Sequence, residues 1–90
     1  MQSVKSRVVP ILQNYRVKKA AFFGSYARGE QKESSDIDIL IQPPSDMGLA
    51  FVRLKRNLQQ VLGKKVDLVS YDGISPYMKK SILSHQITIL

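Results

Sequence analysis

The run Ser35-Asp36-Ile37-Asp38-Ile39-Leu40-Ile41 constrains the fold more than any other segment. Its first residues alternate acid with β-branched apolar. Side chains on a strand alternate faces, so Asp36 and Asp38 share one face while Ile37, Ile39 and Ile41 enter a core. A strand of this kind needs partners and an apolar layer beneath it. It also carries two carboxylates on one rigid face, which repel each other unless a cation lies between them. Hard divalent ions such as Mg²⁺ suit an all-oxygen cluster of this kind.

The flanking segments extend the pattern. Residues from about Ser3 to Tyr15 read as a helix, with Val4, Val8, Ile11, Leu12 and Tyr15 at helical spacing. Pro10 conflicts with this, and is expected to kink the helix or restart it. Val17 to Phe23 reads as a strand that stops at Gly24. Tyr26 to Ser35 is polar and reads as a turn or short helical piece. The acid-bearing strand, Asp36 to Gln42, ends at Pro43-Pro44. Ser45 is expected to cap a helix starting near Met47, with an apolar stripe of Leu49, Val52, Leu54, Leu58, Val61 and Leu62. Gly63 supplies its stop. Val66-Asp67-Leu68-Val69 reads as a third strand and Tyr71-Asp72-Gly73 as a turn. Ser75-Pro76 begins another helix, and Ile87 to Leu90 a last short strand. The order predicts an α/β (α+β) fold, a small mixed sheet with helices packed on it.

Ninety residues predict a single domain, 1–90. No apolar run reaches membrane-spanning length, and the first residues lack a signal-peptide core. The chain has no cysteine, which excludes a disulfide scaffold and a thiolate metal site and is compatible with the cytoplasm. Net charge is +7, from 14 Lys+Arg against 7 Asp+Glu. Basic pairs at Lys18-Lys19, Lys55-Arg56, Lys64-Lys65 and Lys79-Lys80 are spread along the chain. They read either as solvated faces or as attraction to a polyanion: a nucleoside triphosphate, a nucleic acid or an acidic partner.

Three further features bear on chemistry. Gly24-Ser25 directly follows the first strand, where a glycine lets backbone N–H groups approach a phosphate and Ser25 adds a hydroxyl. Arg28 lies within reach of the same phosphate oxygens. Asp67, flanked by Val66 and Leu68, faces away from the core. It lands beside Asp38 if its strand neighbours the acid-bearing one. Three carboxylates on one sheet face suit a pair of Mg²⁺ ions that clamp an in-line phosphoryl displacement.

Together, Gly24-Ser25-Tyr26-Ala27-Arg28-Gly29-Glu30, Ser35-Asp36-Ile37-Asp38-Ile39-Leu40 and the later Asp67 make the chain resemble the minimal nucleotidyltransferase (MNT) family, within the polymerase-β-like nucleotidyltransferase superfamily. The resemblance implies that Asp36, Asp38 and Asp67 are catalytic and metal-binding. It implies that Gly24 and Ser25, with Arg28 and Ser35, hold the phosphates of ATP, and that two Mg²⁺ ions take part. An acceptor hydroxyl would attack the α-phosphate and pyrophosphate would leave.

These residues account only for the donor half of the reaction, and a chain this short has to borrow an acceptor surface. Proteins resembling it are commonly paired with a helical HEPN ribonuclease toxin, for which the MNT partner is the antitoxin. The resemblance therefore implies a hetero-oligomer with a HEPN toxin, or a homodimer when alone. It also implies transfer of AMP from ATP to a toxin tyrosine. Two alternatives stand beside it. One is a non-catalytic antitoxin that masks its partner; the other is a transferase acting on RNA or a small molecule, with the basic surface keeping RNA open as acceptor. His85 reads as a surface residue, and Tyr15, Phe22, Phe23 and Phe51 as core or interface.

Overall fold

The computed structural model describes residues 2–24 and 36–90. The first element, α1 (Gln2–Asn14), is followed by β1 (Lys19–Phe23) and β2 (Ile37–Gln42). Helix α2 (Ala50–Leu62) then crosses to β3 (Val66–Ser70), and a 3₁₀ turn (Tyr71–Gly73) leads to α3 (Pro76–Ser84) and β4 (Ile87–Thr88). The four strands form one mixed sheet in the order β3-β2-β1-β4. β1 is antiparallel to β2 and to β4, whereas β2 and β3 run parallel. The parallel pair requires a crossover, and α2 provides it. The α/β sheet expected from the sequence is the fold observed.

Strand alternation decides where the core sits. Ala20 and Phe22 of β1, Ile37, Ile39 and Ile41 of β2, and Val66 and Leu68 of β3 are buried on one face. There they join Val8 and Leu12 of α1 and Leu54 and Leu58 of α2 in a single apolar cluster. Each fully buried side chain of this size contributes about 1.5–3 kcal/mol. The opposite face carries Ala21, Phe23, Asp38, Leu40, Asp67 and Val69, since these alternate with the core residues.

Pro10 neither restarts nor ends α1, which runs unbroken through it. The proline lies on the exposed side. A helix-interior proline costs about 3 kcal/mol, and burial of Val8 and Leu12, both 0% exposed, is of sufficient size to offset it.

The entry to α2 differs from expectation. Ser45 does not cap it; the helix begins at Ala50 behind Leu49, with no side-chain cap. The intervening chain is occupied by turns, Met47 N–H donating to Pro44 C=O and Ala50 N–H to Met47 C=O at 3.1 and 2.9 Å. Burial of Met47 anchors them. The apolar stripe is also narrower than expected. Leu54 and Leu58 are buried, but Leu49 (81%), Val52 (51%) and Val61 (46%) are exposed. The 3.6-residue period points Val52 away from the face of Leu54 and Leu58, whereas Val61 lies on that face but in the last turn of the helix, where it is exposed. The expected stop at Gly63 is observed, with φ at 64° and its N–H donating to Gln59 C=O. Pro76 opens α3 behind Ser75, although the Ser75 side chain makes no capping bond.

Candidate functional site

Strand β1 ends at Phe23, and Gly24 turns the chain away at φ +66°. Across the ladder Phe23 pairs with Asp38, and on the other side Asp38 pairs with Asp67. The two acids are thus direct neighbours on adjacent parallel strands, at a strand separation of about 4.8 Å. Ile37 and Val66 pair on the core side just before them, and Ile39 and Leu68 just after. Asp38 and Asp67 therefore share the opposite face. Asp38 is half-buried and Asp67 exposed.

Three contacts from outside the sheet assist this register. Ile37 N–H donates to Lys65 C=O at 3.0 Å. Val66 N–H donates to the Gln59 side-chain oxygen at 3.1 Å, tying the start of β3 to α2. Ser70 Oγ accepts from Asp72 N–H at 3.2 Å and turns the chain out of β3. Gln59 is a positioning residue that sequence reading missed, because it reads as a solvated face of α2. Its only signal is that it lies one turn before Gly63.

Gly24 touches the same place. A Cβ built on it would overlap Oδ2 of Asp38 and stand 3.0 Å from its Cγ. The Asp38 carboxylate therefore packs directly against the Gly24 backbone, a close approach that only glycine permits. Asp36 lies immediately before β2 and is exposed. It is two residues from Asp38, at the end of the sheet where Gly24 turns. Ser25, Arg28 and Ser35, also expected at this site, lie outside the described residues.

Among the described residues no group of three histidine or acidic side chains is gathered closely enough to form a metal cage. Mg²⁺ does not require one: it is ordinarily held by one or two carboxylates together with substrate phosphates and water. The all-oxygen donors and the Asp38–Asp67 pairing fit that arrangement. Elsewhere, His85 is exposed as expected, its Nδ1 lying 3.0 Å from Ser84 Oγ. Among the described residues no helix is long and apolar enough to cross a membrane.

Asp38 and Asp67, paired on neighbouring parallel strands, thus lie beside Gly24 at one end of the sheet, with Asp36 just before β2. The nucleotidyltransferase domain pattern matches residues 5–89, and the chain belongs to that family. Among its relatives, a Methanocaldococcus jannaschii protein provisionally named a protein adenylyltransferase is 46% identical over 91 residues, covering 100% of this chain and 98% of that one. Protein adenylyltransferase MntA of Thermococcus cleftensis is 36% identical over 80 residues, covering 86% of this chain and 79% of its own. A solved structure described provisionally as a minimal nucleotidyltransferase matches with a TM-score of 0.83 at 32% identity, covering 96% of this chain and 89% of that chain. A chain of the solved complex of tri-AMPylated Shewanella oneidensis HEPN toxin with MNT antitoxin matches with a TM-score of 0.76 at 21% identity, over 99% of this chain and 71% of that one. At that identity the likeness concerns the fold alone.

Proposed function

We propose that this chain is a protein adenylyltransferase antitoxin, transferring AMP from ATP to a tyrosine hydroxyl of a partner HEPN ribonuclease toxin and so silencing it. The observation that carries the reading is the pairing of Asp38 with Asp67, with the Asp38 carboxylate packed against the Gly24 backbone. The full-length similarity to a relative provisionally named a protein adenylyltransferase supports the choice of acceptor class.

In the proposed reaction the tyrosine oxygen attacks the α-phosphorus of ATP. The bond from that phosphorus to the bridging oxygen of the β-phosphate breaks, and pyrophosphate leaves with the electron pair. The phenolic proton passes to a carboxylate of the acidic face, where Asp67 is the more exposed member. Gly24 lets the turn approach the triphosphate, and Ser25, with Arg28 and Ser35, would donate to its oxygens. Asp38 and Asp67, which the register brings together, would hold Mg²⁺ with substrate phosphates and water, and Asp36 would join them only on moving closer. When bound, the ion would supply charge neutralisation at the phosphates and acidify the acceptor hydroxyl. Rate enhancement of this kind rests on positioning and electrostatics, both of which a rigid sheet end provides. The acceptor tyrosine and its surroundings come from the partner, in a hetero-complex.

The test is to incubate the chain with the product of its neighbouring gene, ATP and Mg²⁺, and to weigh that product by intact mass spectrometry. Gain of AMP, lost in Asp38→Asn, is the expected result. Inhibition without modification, retained by the Asp36→Asn/Asp38→Asn double variant, would assign the protein to masking instead. AMP found only on RNA would refute the acceptor assignment.

A further inference from the structure

The two long helices end alike in backbone and differently in side chain. Helix α2 closes on Gly63 at φ 64°. Helix α1 closes on Arg16 at φ 63°, the one non-glycine residue at positive φ among those described. Arg16 N–H donates to Gln13 C=O and Val17 N–H to Leu12 C=O, both at 3.0 Å. This is a Schellman closure with Arg16 in the position that glycine ordinarily takes. Leu12 and Val17, 0% and 3% exposed, make the apolar contact that accompanies it. An L-residue is strained in this conformation and glycine is not. Helix termination alone would therefore favour glycine at position 16.

Arg16 lines a cleft of about 320 Å³ with Lys18, Gln42, Pro43, Pro44 and Ser45. Lys19 pairs with Gln42, and Phe23 with Asp38, so the cleft lies at the end of the sheet away from the acids. Asp38 and Gln42 lie four steps apart along β2, roughly 13 Å by strand rise. Arg16 and Lys18 are exposed and make no ion pair among the described residues. The nearest acid in sequence, Asp46, is exposed and does not line the cleft. Gln42 and Ser45 add neutral hydrogen-bond donors. Pro43-Pro44 forms a stiff wall with no N–H of its own, suited to a sugar or base face. A guanidinium fork beside an ammonium matches phosphate oxygens. The net charge of +7 favours approach of such an anion from solution.

We propose that this cleft is a second phosphate site, separate from the acidic end of the sheet, that takes a phosphate ester of nucleotide size. The phosphate comes either from a free nucleotide or from the backbone of an RNA strand.

The test is an amide NMR titration of the whole chain in EDTA, which keeps divalent metal from the acids. One arm uses AMP and the other a short uridine oligoribonucleotide. With at least one probe, the amides of residues 16–18, Gln42 and Ser45 shift and saturate. A response to RNA alone assigns the backbone phosphodiester, and a response to AMP assigns the free nucleotide. Arg16→Gly relieves the strained backbone, so its thermal midpoint equals or exceeds the parent's while affinity falls about tenfold or more, the worth of a charged hydrogen bond. Lys18→Ala, exposed and outside the helix closure, weakens the same probe. The proposal is overturned if neither probe shifts these residues, or if Arg16→Gly binds within about twofold of the parent. It is equally overturned if Arg16→Gly lowers the thermal midpoint, since the arginine would then serve the helix end.

Discussion

Replacing Gly24 by alanine tests the site most directly, because the structure separates two consequences of one methyl group. The first is conformational: φ at +66° costs an L-residue about 1–2 kcal/mol. For a chain of this size that is a fall of about 4–16 °C in thermal midpoint. The second is local. The new Cβ overlaps Oδ2 of Asp38 and lies 3.0 Å from Cγ and 3.4 Å from Cβ of that residue, so the carboxylate or the turn has to move. A displacement of about 1 Å at a reacting centre costs on the order of 10²-fold in rate. Gly63→Ala is the control. Its φ of +64° carries the same backbone cost, but a Cβ there meets nothing within 4 Å. Both variants should lose similar stability, measured by thermal melting. Only Gly24→Ala should lose AMP transfer, measured by the rate at which the partner gains mass at a temperature where both variants are folded. Transfer by Gly24→Ala within about threefold of Gly63→Ala would refute the assignment of Gly24 to the catalytic turn.

Asp67→Asn removes one of two facing carboxylates, so its thermal midpoint should hold or rise while transfer falls about 10²-fold or more; a parallel loss of both would make Asp67 structural. EDTA should stop transfer by the parent chain without unfolding it, as read by circular dichroism alongside the mass assay. Leu58→Ala, at a fully buried position, should cost about 2–5 kcal/mol in urea unfolding, whereas Leu49→Ala, 81% exposed, should stay within about 0.5 kcal/mol. Burial holds the Tyr71 phenol above its ordinary 10.0. Its contribution to stability is therefore full below that value and is lost as pH rises through the higher folded value, because the unfolded chain gives up its proton first. Tyr71→Phe should remove this part of the alkaline decline, seen as a difference between the two melting profiles above pH 10, and should lose the Tyr71 hydroxyl bond to Gln86.

Period alone located much of this architecture. The alternation through Asp36-Ile37-Asp38-Ile39 separates an acidic face from a core face before any partner strand is known, because neighbouring side chains on a strand must point oppositely. Gly63 marked a helix end for the same local reason. The reading failed where a decision needed a second element. Leu49, Val52 and Val61 are as apolar as Leu54 and Leu58, yet only the position of the sheet determines which of them it covers. Pro10 looked like a break because its cost is local, while the burial of Val8 and Leu12 that offsets it comes from distant segments. Ser45 had capping chemistry, but the turns around buried Met47 moved the helix start to Ala50.

By itself the sequence determined the chemistry that each strand can present: carboxylates to one side, apolar residues to the other, and a glycine at the turn. The conditional statement that Asp67 would join Asp38 if their strands were neighbours is as far as that logic reaches. The tertiary structure decided the condition. Helix α2 crosses over, Gln59 and Lys65 hold the start of β3, and the parallel register sets Asp38 against Asp67. A slip of one residue would have turned Asp67 into the core. Facing is a local property of the chain, whereas registration between segments nearly thirty residues apart depends on the packing of everything between them.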